Sequence, residues 1–191
     1  MSHTREDVIA AAGRMFAAKG YHGTSMRDLG RELGLLGSSL YSHVGGKQEL
    51  LVEVVARGAK LFQAAADRAL ATEGTAADRL RALIAGHVDV VLDHRDEVRT
   101  FLNEARSLDA EARAAVVEAR DRYEEAFRTV LREGIEDGSF RPEVDPVVDG
   151  IFVLSILNAI ERWYDVSGPV DRSELVARLH RFVLGGLAGG G

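Results

Sequence analysis

The chain has 191 residues, no cysteine and a formal net charge of −6. That length suits one large or two small domains. The missing thiols exclude disulfides, thiolate metal sites and cysteine nucleophiles, and they match a reducing cytoplasm. Apolar residues make up 46% of the chain, enough for a sizeable core. The start, MSHTREDVIAAAGRMF, has charges on both sides of its apolar residues, so no signal peptide is expected. The longest mostly apolar run, Ile151 to Ile160, is interrupted by Ser155 and Asn158 and is too short to cross a bilayer. A soluble cytoplasmic protein with no membrane partner is expected. Charge is unevenly placed. Residues 1–60 hold eight Lys/Arg against six Asp/Glu, a net of +2. The remainder holds 16 against 24, a net of −8. A weakly basic head on an acidic body suggests that only the head approaches a polyanion.

Every long segment has helical period and none reads as a strand, so the fold class is all-α, with about nine helices. The first helix covers roughly residues 4–19, with Val8, Ile9, Ala12, Met15 and Phe16 on one stripe, and Gly20 stops it. Thr24 or Ser25 caps a second helix to about Leu33. Gly34 turns the chain into a short third helix, about 37–43. Helix, glycine turn and short helix is helix-turn-helix spacing. Val44-Gly45-Gly46 breaks it, and a fourth helix runs from about Lys47 to Leu70.

Thr75 with Asp78 reads as a capping box for a fifth helix carrying Leu80, Leu83, Ile84, His87, Val88 and Val91. A shorter sixth includes Val98, Phe101 and Leu102. The seventh starts near Asp109, presents Val116, Arg120, Tyr123, Phe127, Val130 and Leu131, and ends at Gly138. Asp145-Pro146 reads as an Asx cap followed by proline at the first helical position of the eighth. That helix is apolar nearly all round and must be buried on several sides, which predicts a homodimer. Asp171 with Glu174 caps the ninth, striped by Leu175, Leu179, Phe182 and Val183. Fraying is expected at Gly185-Gly186 and at the final Gly189-Gly190-Gly191.

The first 51 residues resemble the TetR family of transcriptional regulators. The matching residues are Ile9, Ala12 and Phe16, then Lys19-Gly20-Tyr21, Thr24-Ser25-Met26-Arg27-Asp28-Leu29 and Leu33-Gly34. Ser39-Leu40-Tyr41, His43, Lys47 and Leu50-Leu51 complete the pattern. The resemblance implies a homodimeric repressor with a DNA-binding domain at 1–46 and a ligand-binding and dimerisation domain at 47–191. Four positions depart from the family's habit: Leu36 for a serine cap, Ser38 for glycine, Gly30 for alanine and Val44 for phenylalanine. In the C-terminal half, Glu104-Ala-Arg-Ser-Leu108, Tyr123-Glu-Glu-Ala-Phe127, Gly138-x-Phe140 and Trp163-Tyr164-x-x-x-Gly168 resemble regulators of lipid, steroid and aromatic-acid catabolism. Several of those sense acyl-coenzyme A thioesters.

A recognition helix needs small residues where it presses into the major groove and hydroxyls where it meets base edges or phosphates. Gly37, Ser38, Ser39, Ser42 and His43 suit that role, although the serines also suit a plain surface helix. Tyr41 and Lys47 are expected on phosphates, with Lys47 at a helix start that itself favours an anion. Thr24 suits both capping and phosphate contact, and Ser25 is a further candidate DNA contact. Arg27 and Arg31 either reach DNA or pair with Asp28 and Glu32. In the body, His87, Glu104, Arg120 and Asn158 are polar residues in apolar stripes; each is either a ligand contact or a satisfied core or interface residue. Phe101, Tyr123, Phe127 and Trp163 are core or pocket wall. An effector pocket is expected between the fifth, seventh and eighth helices, with Leu83, His87, Phe101, Tyr123, Phe127, Leu154 and Asn158 in its lining. No spacing compels a metal set from His87, His94, Asp93 and Glu104, and no cofactor or catalytic set is expected. The expected activity is a repressor that leaves double-stranded operator DNA on binding a small, largely apolar effector, acyl-CoA among the candidates. A multidrug-type sensor and a ligand-independent architectural DNA binder are the alternatives, with an enzyme the more distant one.

Overall fold

The computed structural model describes residues 4–188. Among them are nine α-helices, one 3-10 turn and no strand. α1 is Arg5–Lys19, α2 Met26–Leu33, α3 Gly37–Tyr41, α4 Lys47–Leu70 and α5 Ala76–Asp93. α6 is Arg95–Asn103, α7 Ala110–Glu136, α8 Val148–Trp163 and α9 Arg172–Leu187, with the 3-10 turn Ala105–Ser107 between α6 and α7.

Side-chain caps place the helix starts. Thr4 and Asp7 form a reciprocal box on α1, and Ser25 and Asp28 form one on α2. Thr75 and Asp78 do the same before α5. Asp171 accepts the Glu174 N–H at 2.9 Å to open α9. Gly20 and Gly34 end α1 and α2 at positive φ (74° and 63°), with Gly34 in the left-handed helical conformation. Three expectations need correction. α3 ends at Tyr41, leaving Ser42 and His43 in a turn. Pro146 also lies in a turn: the Asp145 carboxylate accepts the N–H groups of Val147 and Val148, so the α-helix starts only at Val148. Gly185 and Gly186 do not fray but sit inside α9, which buried Val183 and Leu187 anchor on either side. Residues 189–191 lie outside the described residues.

The chain forms two compact units. The first joins residues up to Lys60 with His94–Glu118; the second joins Leu61–Asp93 with Ala119 onward. α4 and α7 each contribute to both units. In the first unit α1 packs on α2 and along α6, burying Val98, Thr100 and Phe101 of α6. In the second, α5 packs on α8 and α9. Its core includes Leu80, Leu83, Ile84, Phe127, Leu131 and Leu157, all fully buried. Each such side chain contributes about 1.5–3 kcal/mol.

Leu36 is the N-cap of α3, has no side-chain cap bond and is 78% exposed. Leu36→Ser supplies the missing acceptor, so the expected gain is about 0.5–1 kcal/mol, read as a higher urea midpoint. An unchanged or lower midpoint contradicts the capping role of this position.

Candidate nucleic-acid interface and effector site

Leu29, Leu40 and Val44 are buried and hold the helix-turn-helix from within. Gly30 permits the close turn: a Cβ there would lie 3.1 Å from the Leu35 carbonyl oxygen, and the Leu35 N–H donates to the Gly30 carbonyl at 2.8 Å. With Leu40 turned inward, Ser38, Ser39, Tyr41 and Ser42 are exposed together, and Gly37 opens α3. The Ser42 hydroxyl donates to the Ser39 carbonyl at 2.7 Å and keeps its acceptor lone pairs outward. His43 is half-buried in the turn. Arg27 is exposed on α2, whereas Arg31 pairs with Asp28. The Ser25 hydroxyl holds the Asp28 carboxyl below its usual range.

Two residues read as phosphate contacts have structural bonds. Thr24 is buried, and its hydroxyl faces the Met15 and Gly20 carbonyls at 3.3 and 3.0 Å. Ser25, not Thr24, is the N-cap. Lys47 Nζ donates to the carbonyls of Tyr21 and Thr24, both at 2.9 Å, and lies 4.1 Å from the Tyr21 ring centroid. An ammonium has three donors, so one N–H remains for an anion.

In the second unit the expected effector residues form an aromatic cluster. His87 is fully buried on α5, with Nδ1 3.0 Å from the Tyr123 hydroxyl on α7. Phe62 of α4 stacks at a tilt on both rings, 4.8 Å from His87 and 5.2 Å from Tyr123. Phe127 meets Tyr123 edge-on at 5.5 Å. Burial pushes the His87 imidazole down to about 3 and the Tyr123 phenol up. His87 Nε2 has no partner at full hydrogen-bond geometry, and the Leu157 carbonyl only partly offsets the burial. Leu83 and Leu154 are buried, and Asn158 is half-buried on α8. Arg120 is half-buried; burial lowers its pKa and Glu124 opposes the shift. Trp163 is 58% exposed and edge-on to Tyr164.

Phe101 and Glu104 belong to the first unit, Phe101 against Gly58 and Glu104 beside Gly20. Sequence reasoning missed Phe62, whose signal was its place in the α4 stripe with Val55, Ala66 and Ala69. It also missed Glu161, a buried acid four residues after Leu157 on the inward face of α8.

The α8–α9 surface is the other conspicuous feature. Phe152 is 60% and Phe182 70% exposed, beside a groove of about 530 Å³ that also includes Val153, Ile156, Val183 and Leu187. Phe182 therefore leaves the inward stripe of α9, which consists of Leu175, Leu179, Val183 and Leu187.

His87 generates a pH prediction. Its folded value lies below the ordinary 6.5, so the unfolded chain binds the extra proton between pH 6.5 and about 3. Stability must therefore fall as pH drops through that window, by at most about 1.4 kcal/mol per pH unit from this group. His87→Gln removes that share. Denaturation at pH 7.5 and pH 5 tests it: equal acid losses in wild type and variant would clear His87.

Comparison with known proteins covers both halves of the chain. Residues 8–54 match the family model described as bacterial regulatory proteins, tetR family. Residues 73–187 match that described as tetracyclin repressor-like, C-terminal domain. The transcriptional repressor KstR2 of Mycolicibacterium smegmatis is 27% identical over 96% of this chain and 90% of its own. The TetR family regulator PfmR of Thermus thermophilus is 36% identical, covering 93% of this chain and 96% of that one, with a TM-score of 0.85. The ketosteroid transcriptional regulator KstR2 of Mycobacterium tuberculosis has a TM-score of 0.91 at 25% identity, covering 100% and 97%. With both halves matched in order, the chain belongs to the TetR family of bacterial transcriptional regulators.

Proposed function

We propose that this chain is a ligand-responsive transcriptional repressor, acting in the cytoplasm as a homodimer on operator DNA. The carrying observation is the outward set Ser38, Ser39 and Tyr41 on a short helix held from behind by Leu40, with Ser42 exposed in the turn that follows. Small hydroxyl side chains let a helix lie close in the major groove and hydrogen-bond base edges and phosphates. Ser25, Arg27, Gly37 and His43 flank that surface. Thr24 supports it from inside, while Lys47 both ties the head together and offers one N–H to a phosphate. The repressor named among the relatives supports the sign of regulation. Two copies meet through α8 and α9, which supply the exposed Phe152, Phe182 and Ile151.

The effector site is proposed around His87, Tyr123 and Phe127, with Leu83, Leu154 and Asn158 beside them and Arg120 on the same helix as Tyr123. Its apolar walls and few polar groups suit a largely apolar ligand. The likeness to a ketosteroid regulator supports the same class. Effector binds better to the form with wrongly disposed heads, and operator affinity falls.

Selection of bound fragments from a genomic DNA library tests the DNA reading; retention of no sequence above background rejects it. A panel of acyl-CoAs, matching free acids and planar drugs then tests release. Release by drugs alone identifies a multidrug-type sensor, and release by none rejects ligand control by these classes. Lys47→Ala should weaken binding to all sequences and lower the salt slope by about one. An unchanged slope with a lower melting temperature would leave Lys47 a tether only. Phe182→Glu should give monomers in sedimentation and lose operator binding.

A further inference from the structure

α6 is seated in the first unit at three places. At Gly58 of α4, a Cβ would lie 2.9 Å from the Phe101 Cβ and 3.1 Å from the Glu97 carbonyl oxygen. Ordinary contact begins at 3.4 Å, so any side chain at 58 drives α6 off α4 by about 0.5 Å, because packed interiors do not absorb such an overlap. Along its length α6 packs on α1. At its end it meets the α1–α2 turn: Glu104 Oε1 lies 3.3 Å from the Cβ position of Gly20, and Ser107 Oγ stands 3.4 Å from both His22 Nε2 and Glu104 Oε2. The same turn contains the Tyr21 and Thr24 carbonyls that bind Lys47, and it leads directly into the Ser25 cap of α2.

We propose that Gly58 is a positioning residue for DNA binding: its missing side chain seats Phe101, fixes α6, and through α6 holds the turn from which α2 and α3 project. The DNA-reading unit thus includes residues 95–107 and is not confined to the first 46. This inference rests on the operator-binding reading above. Nothing at Gly58 touches DNA; its effect is on the aim of Ser38, Ser39 and Tyr41. Most helical glycines are improved by alanine, so a loss at this position marks the close approach and not backbone entropy.

The test compares the full-length wild type with Gly58→Ala, Gly58→Val and the control Gly13→Ala, whose added Cβ would meet Val54 at an ordinary 3.5 Å. On a selected operator, Gly58→Ala should lose about tenfold in affinity, the scale of one base contact, and Gly58→Val more. The salt slope should stay unchanged, because no phosphate contact is removed. Gly13→Ala should bind like wild type. Phe101→Leu, which weakens the seat without a clash, should lower affinity in the same direction and covers the case of a Gly58 variant that does not fold. Hydrogen exchange should quicken at residues 20–36 and 95–107 while α8 and α9 stay protected. A folded, dimeric Gly58→Ala with wild-type affinity overturns the proposal, as does loss of protection spread evenly over the chain. A wild-type chain that retains no DNA sequence rejects the regulator reading instead, and hydrogen exchange then decides whether Gly58 seats α6.

Discussion

The DNA-binding head depends on how the carbonyls between α1 and α2 are satisfied. A helix end leaves acceptors without partners, and a buried one left bare costs about 1–3 kcal/mol. The Thr24 hydroxyl proton is shared between the Met15 and Gly20 carbonyls, and Lys47 Nζ donates to Thr24 and to Tyr21, whose carbonyl also accepts the Thr24 N–H. Tyr21 lies beneath that ammonium, reaches Gln48 through its hydroxyl and packs on Phe16 at 5.6 Å. The first residue of α4 is thereby locked to the turn that starts α2. A lysine held this way has already lost its rotamer freedom on folding, about 2 kcal/mol for a free side chain. On the proposed reading, its remaining N–H would meet a phosphate without that penalty.

Three of the other seven cations of the head are held in ion pairs. Arg5 lies between Glu49 and Glu53, Arg57 pairs with Glu6, and Arg31 with Asp28. Exposed pairs of this kind add little stability, but they reduce the positive field of a head whose excess is only two charges. Non-specific attraction to DNA is correspondingly weak, since that term grows with the number of phosphates neutralised. On the proposed reading, base-edge contacts from the serines of α3 then carry a larger share of affinity, and the acidic body keeps the rest of the surface away from the polyanion.

The sequence reveals most of what local chemistry decides. The Thr75–Asp78 and Asp171–Glu174 caps, the glycine stops at 20 and 34 and the bounds of α4 all follow from rules acting within four residues. What it hides depends on distant partners. Thr24 looks like a cap because it precedes a helix, yet its hydroxyl turns back to α1. Phe101 and Glu104 lie in the right stripe for a pocket wall, but α6 packs against α1 and α4, which no periodicity announces. Phe182 shares the heptad phase of its buried neighbours and still points outward. The surface serines of α3 are legible as a set; what each one touches depends on DNA.

Head and body use opposite physics. The head displays hydroxyls in water, where exchange of one hydrogen-bond partner for another costs little. The body hides its polar pair, and full burial keeps His87 neutral at any physiological pH. If this cluster is the effector site, as proposed, a neutral imidazole bonded to a phenol offers polarity without charge and suits an apolar molecule with a single hydrogen-bonding group better than an ion. An anionic headgroup in the same place would face a body of net −8 with Arg120 alone of the proposed site residues to oppose it. On the proposed reading, any charged portion of an effector therefore stays at the solvent side, and the apolar portion supplies the energy that separates the two states.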